Sequence, residues 1–303
     1  MNLTRRRMMA GMGAAAGMAA AGPVWSSVSL GQMQIDTLSD GTLMLPGDFI
    51  FGPMPKDELR PIIDKYGVSP DSLTPECNLT LVRDGERVIL FDVGSGPDFM
   101  PSAGKLQEAF DAIGLSTDEV THVVFTHGHP DHLWGLLDDF GDPLFYDAEY
   151  MMGAGELDYW MADETVNTIG EERQSMAVGA KRRLEIIADQ ITTFDDGAEI
   201  LPGILAHGSF GHTPGHMSFE LRSGSESVMV LGDAIGNHHV AFEKPGWVSG
   251  SDQDGEMAAA TRLRLFDKIT ADKMRVIGFH LPGGGLGHAD AQGDGFVFVP
   301  EDA

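Results

Sequence analysis

The chain has 303 residues with 42% hydrophobic content, enough for one sizeable core, and a formal net charge of −26. That charge excludes nucleic acid and anionic lipid surfaces as natural partners, because phosphate is repelled. Beyond the first seven residues the only basic cluster is Lys181-Arg182-Arg183, and the lone Cys77 has no thiol partner for a disulfide or a zinc knuckle.

The N-terminus reads as an address. Arg5-Arg6-Arg7 precedes a weakly apolar Gly/Ala/Met run that ends at Ala19-Ala20-Ala21, the pattern of an export signal over residues 1–22. Paired arginines there resemble a twin-arginine signal, which implies the twin-arginine export machinery as a partner and a folded, periplasmic or secreted product. The run is too short and too broken by Gly11, Gly13 and Gly17 for stable membrane anchoring. Residues 23–303 are then expected to form one domain.

Taken in order, residues 33–44 alternate as a strand would and carry Asp40-Gly41, predicting a hairpin. Residues 45–75 are rich in Pro, Gly and large apolar groups, with a helical pattern at 56–66. Such an excursion is expected to overhang a site, to pair subunits as a homodimer or to be disordered, and Phe49 and Phe51 favour contact. Residues 78–83 and 87–91 form a second predicted hairpin, ending at Asp92, which either caps the turn or orients a neighbouring histidine. A helix at 106–113 leads to the buried strand Val123-Val124-Phe125. Further on, strands are predicted at 143–146, 191–194, 204–206, 217–221, 227–231, 276–279 and 295–299. Helices are predicted at 148–160, 171–188 (with 181–183 on its solvated face) and 256–269.

The strand at 123–125 delivers Thr126-His127-Gly128-His129-Pro130-Asp131-His132, and Pro130 suits the first turn of a helix running through Trp134 to Leu137. Side chains two apart on extended backbone point the same way, so His127 and His129 converge on one ion, while Asp131 and His132, displaced by the turn, face a second. Imidazole and carboxylate at this density are a metal-binding pattern. Three more candidates stand just past apolar strands: His212, Asp233 and His280. This recurrence is the main argument for a metal site.

The motifs HxHxDH at 127–132, GHTPGH at 211–216 and LGD at 231–233, with His280, resemble the metallo-β-lactamase superfamily over about residues 33–299. The resemblance implies a mixed α/β fold, a four-layer αββα sandwich. It assigns His127, His129 and His212 to one metal ion and Asp131, His132 and His280 to another, with Asp233 bridging. His216 is implied to support rather than ligate, and His238 and His239 follow Asp233 closely. The expected cofactors are two divalent ions, zinc foremost, with manganese, iron and cobalt compatible with the same donors. The implied activity is hydrolysis of small-molecule esters (lactones, organophosphate or aryl esters) through a metal-bridging hydroxide, with Asp131 and Asp233 as catalytic carboxylates. A glyoxalase II-type thioesterase and a non-catalytic metal-binding protein are the alternatives. Asp233 argues against penicillin hydrolysis and His129 against flavin-linked redox relatives. The export signal, the 45–75 segment and the stretch 232–247 most resemble the methyl parathion hydrolase and acyl-homoserine lactonase-like branch. Trp134 replaces the first glycine of the usual DHxGG; it and Phe49, Phe51, Trp160 and Trp247 either line the pocket and set specificity or, as aromatics more often do, pack in the core.

Overall fold

The computed structural model describes residues 24–301, so the expected export signal lies outside them. No helix among the described residues is long and apolar enough to cross a membrane.

Two seven-stranded sheets face each other. The first runs, edge to edge, Val24–Leu30, Met33–Thr42, Glu76–Asp84, Arg87–Phe91, His122–Phe125, Glu149–Gly153 and Ile191–Phe194. Its first four strands pair antiparallel and the remainder parallel. The second runs Glu199–Leu201, Ile204–Gly208, Met217–Ser223, Glu226–Gly232, Arg275–Gly278, Leu286–Gln292 and Gly295–Pro300, antiparallel except between Glu226–Gly232 and Arg275–Gly278.

Side-chain alternation makes this a four-layer structure. Along Arg87–Phe91, Ile89 and Phe91 point between the sheets, where they join Val124 of the first sheet and Phe219, Val228 and Ile277 of the second. Leu90 points the other way, with Val123 and Phe125, onto the helices Leu106–Ile113 and Gln174–Ile187. On the outer face of the second sheet, Met229 and Val276 meet Leu265, Phe266 and Ile269 of the helix Gly255–Ala271. A strand buried on both faces must be apolar at every position, which is why the parallel strands read as continuous hydrophobic runs. The order helix, sheet, sheet, helix is the expected αββα sandwich.

Several local expectations are corrected. Residues 33–44 are not a hairpin: Met33–Thr42 is one strand, paired on both sides, with an irregularity near Asp40-Gly41. Asp40 is a buried acceptor rather than a turn residue; its carboxylate takes the amide N–H of Ser95 (2.8 Å), Gly104 (3.1 Å) and Leu106 (2.9 Å). The strand predicted at 143–146 is a turn, and the chain pairs instead at Glu149–Gly153 before the helix Ala154–Met161 starts. Tyr150-Met151-Met152 suits either state by period, and parallel pairing with His122–Phe125 decides it. The helix after Pro130 lasts one turn, Pro130–Leu133, and tightens into a 3₁₀ turn at Trp134–Leu136. Arg183 is not on a solvated face. It is 5% exposed, with its guanidinium 4.5 Å from the centre of the Trp134 ring and its Nε donating to the Trp134 carbonyl at 3.1 Å. The edge strand Val24–Leu30 carries no sequence pattern that marks it.

The 45–75 segment folds over one end of the sandwich. Leu45–Pro46 pairs with Ser72–Leu73, and between them the helix Lys56–Tyr66 buries Leu59, Ile62 and Ile63 with Phe51, Leu73 and Val240. It is an ordered wall, placed over the strand ends where the histidines gather.

Candidate metal centre

Three of the candidate ligands, His132, His212 and His280, are held from behind. At the end of Arg87–Phe91, Asp92 adopts φ 62°, and its buried carboxylate accepts the Thr126 N–H (2.7 Å) and the Thr126 hydroxyl (2.7 Å). It also meets His132 Nδ1 at 2.8 Å, so it both braces the 126–132 turn and orients a histidine. His212 Nδ1 faces Asp252 Oδ1 at 3.0 Å, and the other oxygen of Asp252 lies 3.4 Å from the buried Arg262 guanidinium. His280 Nδ1 lies 2.7 Å from the Glu76 carbonyl. An oxygen acceptor at Nδ1 holds a ring proton there and turns each ring so that Nε2 faces inward. His216 does not join the cluster: Ser209 Oγ sits 2.7 Å from its Nδ1, and its Nε2 accepts the Asp233 N–H at 3.0 Å, so it supports the Asp233 backbone. Gly232, at φ 54°, allows that approach, since a Cβ there would meet His216 Nε2 at 2.7 Å.

The inward atoms form two adjoining groups. His127 Nε2 and His212 Nε2 lie 3.0 and 2.9 Å from His129 Nδ1, and Asp233 Oδ2 lies 3.3 Å from His212 Nε2. On the other side, His280 Nε2 is 3.2 Å from Asp131 Oδ2 and 3.3 Å from Asp233 Oδ2, while His132 Nε2 is 3.3 Å from Asp233 Oδ1. Within each group, His127, His129, His212 and Asp233 or Asp131, His132, Asp233 and His280, one donor atom per residue lies within 4.8 Å of all the others. All seven residues named from the sequence are thus brought together, with Asp233 common to both groups.

A model of the metallo-beta-lactamase superfamily matches residues 75–280. The chain belongs to that superfamily. Among solved structures it is similar to AidC, a dizinc quorum-quenching lactonase, at 24% identity and TM-score 0.86, covering 93% of this chain and 99% of AidC. It is also similar to AbOPH, a hydrolase in the beta lactamase superfamily, at 26% identity and TM-score 0.85, covering 93% and 98%. A quorum-quenching N-acyl homoserine lactone lactonase matches at 16% identity and TM-score 0.61, over 85% and 95%. Among curated proteins, the uncharacterized YobT of Bacillus subtilis (strain 168) is 28% identical over 160 residues, 52% of this chain. The match spans only 61% of YobT's length.

The donors of this superfamily member fit divalent cations on the structure's own terms. Burial, reinforced by neighbouring imidazoles, holds His127 and His129 well below the usual histidine range, so both present neutral lone pairs. Their inward nitrogens and that of His212 stand about 3 Å apart, close enough to share a ring proton, and nitrogen donors to one zinc at about 2.0–2.1 Å are spaced in this way. In the second group burial opposes charge on His132, yet Asp233, Asp131 and Asp92 overcome it and push the ring up to about 10. That half of the site attracts positive charge strongly. His132 Nε2 and Asp233 Oδ1 are buried and have no hydrogen-bond partner among the described residues, which native proteins avoid unless something else satisfies them.

A cavity of about 670 Å³ opens onto His129, Asp131, His212, Asp233 and His280. Of the five aromatics left between pocket and core, Phe49 and Trp247 line it, joined by His238 and His239. The other three take the packing alternative. Phe51 packs beneath the wall with Ile63 and Val240. Trp160 is fully buried and donates its indole N–H to Glu156 at 2.6 Å. Trp134 is turned away onto the helix Gln174–Ile187, where a Cβ on Gly179 would touch its ring at 2.4 Å. Glu156 and Asp252 escape sequence reasoning, since neither stands in a motif or at a strand end that would mark it.

Proposed function

We propose that this chain is a hydrolase of small, largely apolar esters that works with two divalent metal ions. One observation carries the reading: two donor groups sharing Asp233 form the floor of a cavity whose walls include Leu43, Phe49, Ile50, Met54 and Trp247. His127, His129 and His212 would hold one ion, Asp131, His132 and His280 the other, and Asp233 both. A donor set of imidazole nitrogens and carboxylate oxygens suits zinc, the metal of the dizinc lactonase AidC. When bound, such ions supply Lewis acidity and an acidified water that attacks at neutral pH.

The protein's own part is placement. Asp92, Asp252 and the Glu76 carbonyl lock three imidazoles in one tautomer and orientation. Asp131 and Asp233 are positioned to receive a proton and pass it to a leaving-group oxygen. The apolar wall seats an acyl or aryl group and excludes bulk water, with lactones and aryl or organophosphate esters as the substrate classes. The composition of residues 1–22 supports export through the twin-arginine route, and N-terminal sequencing of protein from the extracytoplasmic fraction tests it. For the activity, purified protein is given a hexanoyl lactone, an aryl ester, a phosphotriester and a thioester, with and without a chelator. Chelator-sensitive turnover of an oxygen ester is expected. Turnover of none by metal-loaded protein overturns the proposal, and a clear preference for the thioester replaces it with a thioesterase.

A further inference from the structure

Both ligand-bearing turns of the first group rest on one buried side chain. Glu156 lies in the first turn of the helix Ala154–Met161 and is fully buried. Its Oε1 accepts the Gly128 N–H at 2.9 Å and the Trp160 indole N–H at 2.6 Å. Its Oε2 accepts the Thr213 hydroxyl at 2.7 Å and the Gly215 N–H at 2.9 Å. Gly128 stands between His127 and His129, and Thr213 directly follows His212. The glycines in the two motifs acquire a physical reason. A Cβ at Gly128 would lie 2.4 Å from Trp160 Nε1, and one at Gly215 would lie 2.1 Å from the Glu156 backbone nitrogen.

A carboxylate with two donors on each oxygen has spent its acceptor capacity, and Glu156 does not line the cavity. It is therefore neither ligand nor acid–base group. We propose that Glu156 is the positioning residue of the first metal subsite: by joining the 127–129 turn to the 212–215 turn, it sets the distance between His212 and the pair His127 and His129. This rests on the two-ion reading above. The second subsite has other supports, Asp92 behind His132 and the Glu76 carbonyl behind His280, so the effect of losing Glu156 falls on one ion.

Glu156→Gln isolates this role. The amide cannot accept at both ends: its NH₂ group would face either the Gly128 and Trp160 donors or the Thr213 and Gly215 donors. Thr213 can rotate its hydroxyl to accept, but Gly215 cannot, so the 212–215 turn is the one released.

The test is Zn²⁺ affinity, read by competition with a chromophoric chelator, in two backgrounds. His280→Ala leaves the first subsite as the main one, and His212→Ala leaves the second. Adding Glu156→Gln should weaken Zn²⁺ about 10- to 100-fold in the His280→Ala background and less than about twofold in the other. Equal losses in both backgrounds, or none in either, overturn the proposal. If Glu156→Gln fails to fold, Trp160→Phe keeps the buried charge and removes one of the four bonds, and should show the same asymmetry at smaller size. Wild-type protein titrating with fewer than two Zn²⁺ would instead overturn the two-ion reading, a separate outcome.

Discussion

Trp134→Ala is expected to cost stability and leave substrate preference alone. The indole occupies a position close to the metal cluster in sequence, yet in the structure it packs between the Arg183 guanidinium, 4.5 Å from its ring centre, and Phe99, whose ring stands edge-on at 5.6 Å. It does not line the cavity. Truncating a fully buried tryptophan costs about 3–5 kcal/mol. Trp134 is only half-buried, which brings the figure down to about 2–4 kcal/mol, with the cation–π contact supplying about 0.5–1 of it. At about 2–4 °C per kcal/mol for a domain near this size, the melting temperature should fall by roughly 4–16 °C. Arg183 loses its stacking partner but keeps its bond to the residue-134 carbonyl, so the fold should persist. Calorimetry and the ratio of kcat/KM for a small and a bulky ester, measured on the same preparation, check both halves. An unchanged melting temperature with a tenfold shift in that ratio would refute the packing assignment.

Asp233→Ala should lower kcat/KM by at least about 100-fold and reduce bound metal, because it removes a carboxylate shared by both donor groups, whereas His288→Ala should stay within about twofold. His288 lies on the strand Leu286–Gln292 with its side chain 41% exposed, so similar losses in the two folded variants would show the donor assignment to be wrong. Trp247→Ala, which strips an aromatic group from the cavity wall, should raise KM for a hexanoyl or aryl ester about tenfold more than for an acetyl ester. Parallel kinetics on the two esters check it, and an equal change for both would place Trp247 outside the acyl-binding surface.

What can be read from the sequence follows from where physics is local. A buried strand announces itself as an apolar run, and the side chains just beyond its C-terminal end are displayed at the sheet edge. Val123-Val124-Phe125 therefore points to the 126–132 turn, and the same logic gathers His212, Asp233 and His280 from the residue pattern alone. Asp92 is legible as a choice between two roles, and the structure takes the second: its carboxylate faces Thr126 and His132 rather than the turn that follows it. Roles that depend on long-range packing are not legible. Glu156 sits in an ordinary helical stretch and acquires its four donors only when two distant turns close on it. Asp252 meets His212 across 40 residues. Trp134 stays undecided for the same reason: the sequence places it near the metal donors but does not show which way a one-turn helix aims it. Asp40-Gly41 has the chemistry of a tight turn, and only the three amides arriving from residues 95–106 reveal it as a buried acceptor.

The central claim, two divalent ions held by seven side chains around Asp233, is tested most directly by elemental analysis of catalytically active protein freed of loosely bound metal. Close to two divalent transition-metal ions per chain are predicted, falling to about one in His280→Ala and in His212→Ala. Full activity in wild-type protein with no stoichiometric transition metal would contradict the account.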